Sequence, residues 1–190
     1  MSSRAVFLDL SPLEQGDLDL TPLQDAFSEL VCHEQSTADQ IVERLRGAQV
    51  AIVNKVALSA DTLAACPDLK LILVSATGVN NIDLQAAGER GIVVCNCQAY
   101  GTPTVAQHTL MLLLALATRL PDYQAAVARG RWQESGQFCL LDFPIVELEG
   151  KTLGLLGHGE LGSAVSRLAE ALGMRVLVGN LPGRPKRPER

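Results

Sequence analysis

The sequence predicts an α/β protein built on parallel sheets, and three observations carry that prediction. Short apolar runs alternate with amphipathic stretches from residue 5 to residue 96. A long, almost wholly apolar helix begins near residue 99. A strand, a glycine turn and a further helix then follow in order from residue 152. Strands separated by helices are not joined by hairpins, so they run parallel, with the helices lying on the sheet faces.

Taken in order, "AVFLDL" (5–10) reads as a strand, and residues 22–31 and 36–46 read as helices because apolar side chains recur at three- and four-residue steps. "VAIVN" (50–54) is a buried strand. "SADTLAACP" (59–67) is a short helix stopped by Pro67, and "LKLILVSA" (69–76) is the next strand. Residues 81–91 form a helix ending at a glycine, and "IVVCN" (92–96) closes this series. From residue 99, "AYGTPTVAQHTLMLLLALATRL" is one long helix, with Thr102 before Pro103, or Thr104 with Gln107, as candidate caps. Being apolar nearly all round, it is expected to be buried between domains or subunits. Residues 121–149 read as a polar, irregular connection. The final unit is a strand (152–157), a turn, a helix (160–173) and a strand (174–180).

Composition narrows the class. With 47% apolar and 19% charged residues in 190, the chain is an ordinary globular protein, and its net charge of −5 argues against a general nucleic-acid binder. Only the tail "GRPKRPER" departs from this balance, with Arg184, Lys186, Arg187 and Arg190 against Glu189. "MSSRAVFLDLSP" has no signal-peptide pattern, and the longest apolar run, Leu110 to Ala117, is far short of a membrane span. The expected setting is cytoplasmic. Cys32, Cys66, Cys95, Cys97 and Cys139 are an odd, scattered set, read as reduced, buried thiols. No Cys/His set has metal-ligand spacing, so no metal is expected.

The chemistry is concentrated in "GLLGHGELG". Gly157-His158-Gly159-Glu160-Leu161-Gly162 fits G-x-G-x-x-G, a weak signal alone but set here between a strand and an amphipathic helix. In such a turn Gly157 makes the bend, Gly159 lets the backbone approach a pyrophosphate, and Gly162 lets the helix lie against the strand. The helix N-terminus then attracts phosphate charge. A dinucleotide is therefore expected, against the plainer reading of a tight structural turn. The next strand ends at Asn180, where an acid would select an unmodified ribose, and Arg184 follows. A neutral residue beside a guanidinium suits a 2′-phosphate, so the expectation tilts toward NADP over NAD. A solvated basic loop is the other reading of the same residues.

Several stretches together resemble the D-isomer-specific 2-hydroxyacid dehydrogenases: "LKLILVSATGVNNIDLQAAGERGIVVCN", "AYGTPTVAQHTLMLLLALATRL" and "ELEGKTLGLLGHGELGSAVSRLAEALGMRVLV". "NKVALS" and "GRWQESGQFCLLDFPIVELEGKTLG" are similar to the glycerate dehydrogenase/hydroxypyruvate reductase branch. The resemblance implies a flavodoxin-like substrate domain over 1–98 and the opening, incomplete part of a Rossmann-type NAD(P)-binding domain over 99–190. It also implies a homodimer and hydride transfer between NAD(P)H and a small 2-keto or D-2-hydroxy acid, hydroxypyruvate or glyoxylate foremost. "SATGVNN" matches the family's carboxylate-binding loop, where amides near Thr77, Gly78 and Val79 would meet the substrate carboxylate. Lys55 either adds a positive charge there or is a solvated lysine. Thr104 matches a position facing the nicotinamide end of the cofactor, though helix capping explains it equally well.

His108 is expected to make a structural hydrogen bond inside the long helix, His158 occupies a variable position of the turn, and His33 lies in a polar connection. The family's histidine, glutamate and arginine come from later in its cofactor domain than this sequence extends. No catalytic residue is therefore assigned, and the chain alone is expected to be inactive, with strand faces and an edge left uncovered. A non-catalytic nucleotide- or keto-acid-binding, or dimerising, module of the same fold is the alternative.

Overall fold

The computed structural model describes residues 3–179, and the chain divides into two compact units, Met1–Gln98 and Ala99–Arg190. The first alternates β1 (Arg4–Phe7), α1 (Thr21–Ala26), β2 (Glu29–Cys32), α2 (Ala38–Arg44), β3 (Val50–Val53), α3 (Ala60–Ala64), β4 (Leu71–Val74), α4 (Leu84–Glu89) and β5 (Val93–Asn96). Its sheet has the order β2-β1-β3-β4-β5, with every neighbouring pair parallel. This is the flavodoxin-like order, and it places a switch point between β1 and β3, where the chain winds away in opposite senses.

Alternation along the strands supplies both faces of the core. Val6, Leu8, Ala51, Val53, Ile72 and Val74 point to one face and pack with Ile41, Leu45 and Leu63 from the helices. Ala5, Phe7, Val50 and Ile52 point to the other, beneath Leu20, Leu23 and Phe27. Because helices cover both faces, the central strands read as continuous apolar runs rather than alternating ones. Asp83 caps α4, its carboxylate accepting the Ala86 N–H at 2.9 Å, and Ser59 caps α3 through the Thr62 N–H at 3.3 Å.

The helix expected over 22–31 is instead α1 followed by β2. The backbone turns extended at Phe27 (φ −127°, ψ 149°), and Glu29–Cys32 pair with Arg4–Phe7 in register. Leu23, Phe27 and Leu30 still pack on the same apolar cluster, so the periodicity that suggested one helix is satisfied by two elements.

The second unit contains α5 (Thr102–Ala117), α6 (Leu120–Ala128), α7 (Arg131–Glu134), β6 (Thr152–Leu156), α8 (Glu160–Ala171) and β7 (Arg175–Gly179). β6 and β7 form a parallel pair, and α5 packs on α8. The connection read as irregular thus holds two helices. α6 begins after Arg119, which takes the left-handed conformation (φ 55°) and separates it from α5, and Pro121 sits in its first turn. Tyr123 anchors α6 to the following segment: its hydroxyl donates to the Phe143 carbonyl at 2.7 Å, and the two rings meet edge to face at 5.1 Å.

Two further expectations are corrected. α5 is capped by neither Thr102 nor Thr104: its N-cap is Gly101, no side chain caps it, and Thr102 is buried. Within the single chain only Thr102 and Ala106 of α5 are buried, and Met111, Leu112 and Leu116 stand exposed, the apolar surface that the expected burial between subunits would cover. The cysteines are all free, but only Cys66 is buried; Cys32, Cys95 and Cys97 lie on outer strands or beyond them and are exposed. Burial pushes the Cys66 thiol above its usual pKa.

Candidate functional site

In the second unit the glycine turn lies where the sequence predicts it, directly between β6 and α8. Gly157 has φ +99°, a conformation costly for any residue with a Cβ. A Cβ on Gly162 would fall on the carbonyl oxygen of Gly157, well inside contact distance, so the start of α8 can approach the end of β6 only if residue 162 is glycine. A Cβ on Gly159 would meet nothing within 4 Å, so space is open above that residue. The first bond within the helix runs from the Ser163 N–H to the Gly159 carbonyl at 2.9 Å. The amides of Glu160, Leu161 and Gly162 therefore precede the helical ladder, at the positive end of a 12-residue helix. Open space, unused amides and a helix dipole together suit an anionic phosphate group.

His158 is half-buried in the turn, and Glu160 and Leu161 are exposed. Thr104 is exposed in the first turn of α5, with no hydrogen bond from its side chain among the described residues. Asn180 and Arg184, the residues on which the cofactor preference was read, lie outside the described residues.

In the first unit, Lys55 and the Thr77–Val79 loop follow the carboxyl ends of β3 and β4, adjacent strands paired Val53 with Val74. Thr77 and Gly78 are exposed, and Val79 is half-buried. Among the described residues none of the N–H groups of Thr77, Gly78 or Val79 donates to a protein acceptor, although the loop's carbonyls are engaged. The Ala76 carbonyl accepts from the Cys97 N–H (3.1 Å), the Thr77 carbonyl from Asn96 Nδ2 (2.6 Å), and the Val79 carbonyl from the Ile82 N–H (3.0 Å). Held this way, the loop leaves three amide donors open while most of its carbonyls are already engaged, the electrostatic character an anion requires. Lys55 is exposed, and no ion pair among the described residues involves it.

Beside these residues stands one that the sequence reading passed over. Asp9, 5% exposed, follows β1 at the switch point, and its carboxylate accepts three successive main-chain N–H groups across the sheet. Oδ1 takes that of Asn54 at 2.7 Å; Oδ2 takes those of Lys55 at 2.6 Å and Val56 at 2.9 Å. The available signal was an acid set within an otherwise apolar strand, "VFLDL", since a buried carboxylate demands partners.

Among the described residues no carboxylate is bonded to the ring of His33 or His108. His108 is exposed on α5 with no hydrogen bond among the described residues, contrary to the expected structural bond, since its face of the helix is not covered. His33 lies near Arg44 and Arg4; burial first, then those two charges, holds its pKa below the usual histidine value. Among the described residues no cluster of three or more His, Cys, Asp or Glu could hold a metal ion, and no helix is long and apolar enough to cross a membrane. A depression in the second unit, about 380 Å³, is lined by Leu114, Thr118, Ile145, Val146 and Leu172, none of them in the glycine turn.

Similarity to known proteins agrees with this geometry. The sequence model described as "D-isomer specific 2-hydroxyacid dehydrogenase, catalytic domain" matches residues 7–178. Glycerate dehydrogenase of Methylorubrum extorquens is 44% identical over 93% of this chain and 55% of its own length. Hydroxypyruvate reductase of Blautia hydrogenotrophica is 33% identical over 92% of the chain and 55% of its own. Among solved structures, D-lactate dehydrogenase from Aquifex aeolicus, complexed with NAD and lactic acid, is 28% identical with a TM-score of 0.75, covering 92% of this chain and 50% of that one. The chain thus spans about half the length of the curated relatives it matches. With the family model matching nearly its whole length, the chain belongs to the D-isomer specific 2-hydroxyacid dehydrogenase family.

Proposed function

We propose that this sequence is the substrate domain (1–98) and the opening part of the cofactor domain (99–190) of an NAD(P)-dependent oxidoreductase acting on a small 2-keto or D-2-hydroxy acid. Hydroxypyruvate or glyoxylate is the oxidised substrate, and D-glycerate or glycolate the reduced one. The observation that carries this reading is the glycine turn, where residue 162 has no room for a Cβ and residue 159 leaves space open above free amides. These residues fit a dinucleotide pyrophosphate, which the amides of Gly159 to Gly162 would hold, with His158 in the turn and Thr104 nearer the nicotinamide. The nicotinamide, when bound, supplies or accepts a hydride.

The chain's own residues bind and orient. The N–H groups of Thr77, Gly78 and Val79 take the substrate carboxylate, and Lys55 lends a positive charge. The substrate class is supported by the two relatives, whose names are glycerate dehydrogenase and hydroxypyruvate reductase. Asn180 and Arg184 favour a 2′-phosphate, hence NADP over NAD. The complete protein works as a cytoplasmic homodimer.

Two measurements test this reading. The 190-residue chain, titrated with NADPH and NADH by nicotinamide fluorescence, binds both and NADPH more tightly; no binding of either sinks the cofactor reading, and a clear NADH preference sinks the role of Arg184. A protein carrying this sequence at the family's full length oxidises NADPH when hydroxypyruvate or glyoxylate is added, and inertness toward both acids refutes the substrate reading. The 190-residue chain by itself binds without turnover: burial, Arg44 and Arg4 hold His33 toward its neutral form, and His108 is exposed on α5 with no carboxylate bonded to it among the described residues.

A further inference from the structure

We propose that Asp9 is a positioning residue for the keto-acid site: by gripping the amides of Asn54, Lys55 and Val56, its buried carboxylate fixes where Lys55 stands relative to the anion-binding amides of Thr77, Gly78 and Val79. This rests on the reading of those amides as the substrate-carboxylate site.

The argument begins with topology. Asp9 and Lys55 follow β1 and β3, the two strands that flank the switch point of the sheet. In open α/β sheets the crevice at that point, outside the carboxyl ends of the strands, is where ligands bind. Beyond Val53 the chain has left the sheet ladder, so the amides of residues 54 to 56 have lost their strand partners. Asp9 replaces them, using both oxygens for three N–H groups and leaving the backbone at Lys55 little freedom.

The same segment is tied sideways to the anion loop. Asn54 Nδ2 donates to the Ser75 carbonyl at 3.1 Å, and the Ser75 hydroxyl donates back to the Val53 carbonyl at 3.1 Å. Asn81 Nδ2 donates to the Val56 carbonyl at 2.9 Å, and the Leu58 N–H donates to the Asn81 carbonyl at 2.9 Å. These bonds close a continuous brace, from Asp9 through residues 54–58 to both shoulders of the 76–80 loop. A buried negative charge beside an anion site would ordinarily repel the ligand. Here three N–H dipoles are turned onto it, which compensates that charge locally, and the Lys55 ammonium has no carboxylate partner among the described residues. A purely structural acid would need only to close the end of a strand; this one closes it onto the residue that carries the site's cation.

Asp9→Asn is nearly isosteric but presents an NH2 group to at least one of the three N–H donors, so the grip fails locally while the core is untouched. The test is a titration of the 190-residue chain with D-glycerate, followed by amide NMR, for the native sequence, Asp9→Asn, Lys55→Ala and the double variant. The native chain shows saturable shifts at Thr77, Gly78 and Val79. Asp9→Asn weakens D-glycerate binding about tenfold, as small misplacements of binding groups do. Its spectrum stays native outside residues 54–58 and 75–82, and the Asp9 deficit shrinks in the Lys55→Ala background because both act through one group. Native binding with equal affinity in Asp9→Asn overturns the brace and leaves the site reading intact. A deficit that persists undiminished without Lys55 also overturns it. No native binding refutes the site reading, and the brace with it. If Asp9→Asn does not fold, Asn81→Ala cuts the other end of the brace from an incompletely buried position; an unchanged affinity there overturns the proposal, and a several-fold loss supports it.

Discussion

Two glycines of one turn make opposite demands on a side chain. Residue 162 lies against backbone, and a Cβ there collides with the Gly157 carbonyl oxygen, an atom that cannot swing aside. Overpacking of this kind costs about 1–3 kcal/mol, so Gly162→Ala lowers the melting temperature and weakens NADPH binding together. Residue 159 has extended backbone (φ −84°, ψ −155°) and open space where its Cβ would be. Gly159→Ala therefore leaves the melting temperature unchanged and weakens binding alone. Parallel calorimetry and NADPH titration check the pair, and a Gly159→Ala variant that binds normally removes that residue from the cradle. His33 gives a pH prediction at the same scale. Its pKa is lowered in the fold, by burial and then by Arg44 and Arg4, so folding favours the neutral ring. The stabilisation is present above histidine's ordinary pKa and is lost as pH falls through that value toward the lowered one. An NMR titration of the His33 ring finds it below free histidine, and His33→Gln flattens the pH dependence of urea midpoints just below pH 6.5.

Elements in this fold are set by their ends as much as by their faces. α4 is only six residues long, and its N-terminal donors depend on Asp83, whose carboxylate takes the Ala86 N–H at 2.9 Å. Asp83→Ala lowers the unfolding free energy by about 1 kcal/mol, read from urea denaturation; a change within error means that water serves the cap equally well. Ends also explain which elements were legible in the sequence. The parallel strands β1, β3 and β4 and the strand–turn–helix at 152–171 were readable because burial, or a glycine at a forced bend, writes itself into composition; β5 was readable from its β-branched run alone, since none of its residues is buried. α1 and β2 were not, because Leu23, Phe27 and Leu30 satisfy a helical period while covering the same cluster as two separate elements. Pairing of Glu29–Cys32 with β1, a contact distant in sequence, decided between them. α6 was hidden by the polar stretch that follows it, although its own residues, LPDYQAAVA, are mostly apolar and Pro121 and Asp122 at its start are a helix-opening pattern. In the candidate site the glycine pattern stood in the local sequence, whereas the 76–79 loop was pointed to only by the family resemblance of "SATGVNN". Asp9 could not be read from local sequence, because its role exists only where β1 and β3 lie side by side.

Across the whole chain, stability is distributed unevenly between the two units. Among the described residues, the large side chains that are almost fully buried, Leu8, Leu45, Leu58, Leu63 and Ile72 among them, belong to the first unit, as do the two apolar clusters. The buried apolar residues of the second are Ala106, Ala126, Leu140, Ala164, Ala169 and Met174, mostly small side chains with little area to remove from water. Its described sheet has two strands, each paired only with the other, and Leu156 and Leu177 are 80% and 64% exposed on them. Two strands with one face open are marginal by themselves, so local opening there is not tied to global unfolding. Hydrogen–deuterium exchange of the 190-residue chain therefore separates the sheets: amides of 152–156 and 175–179 exchange at least about a hundredfold faster than those of 5–7, 50–53 and 71–74. Ligand binding stabilises the state that binds, so saturating NADPH slows exchange at 157–164 and in the flanking strands while leaving the five-stranded sheet as it was. Equal protection of both sheets without ligand would mean that the second unit is held by burial absent from the described residues. Protection gained in the first sheet alone would place the nucleotide away from the glycine turn.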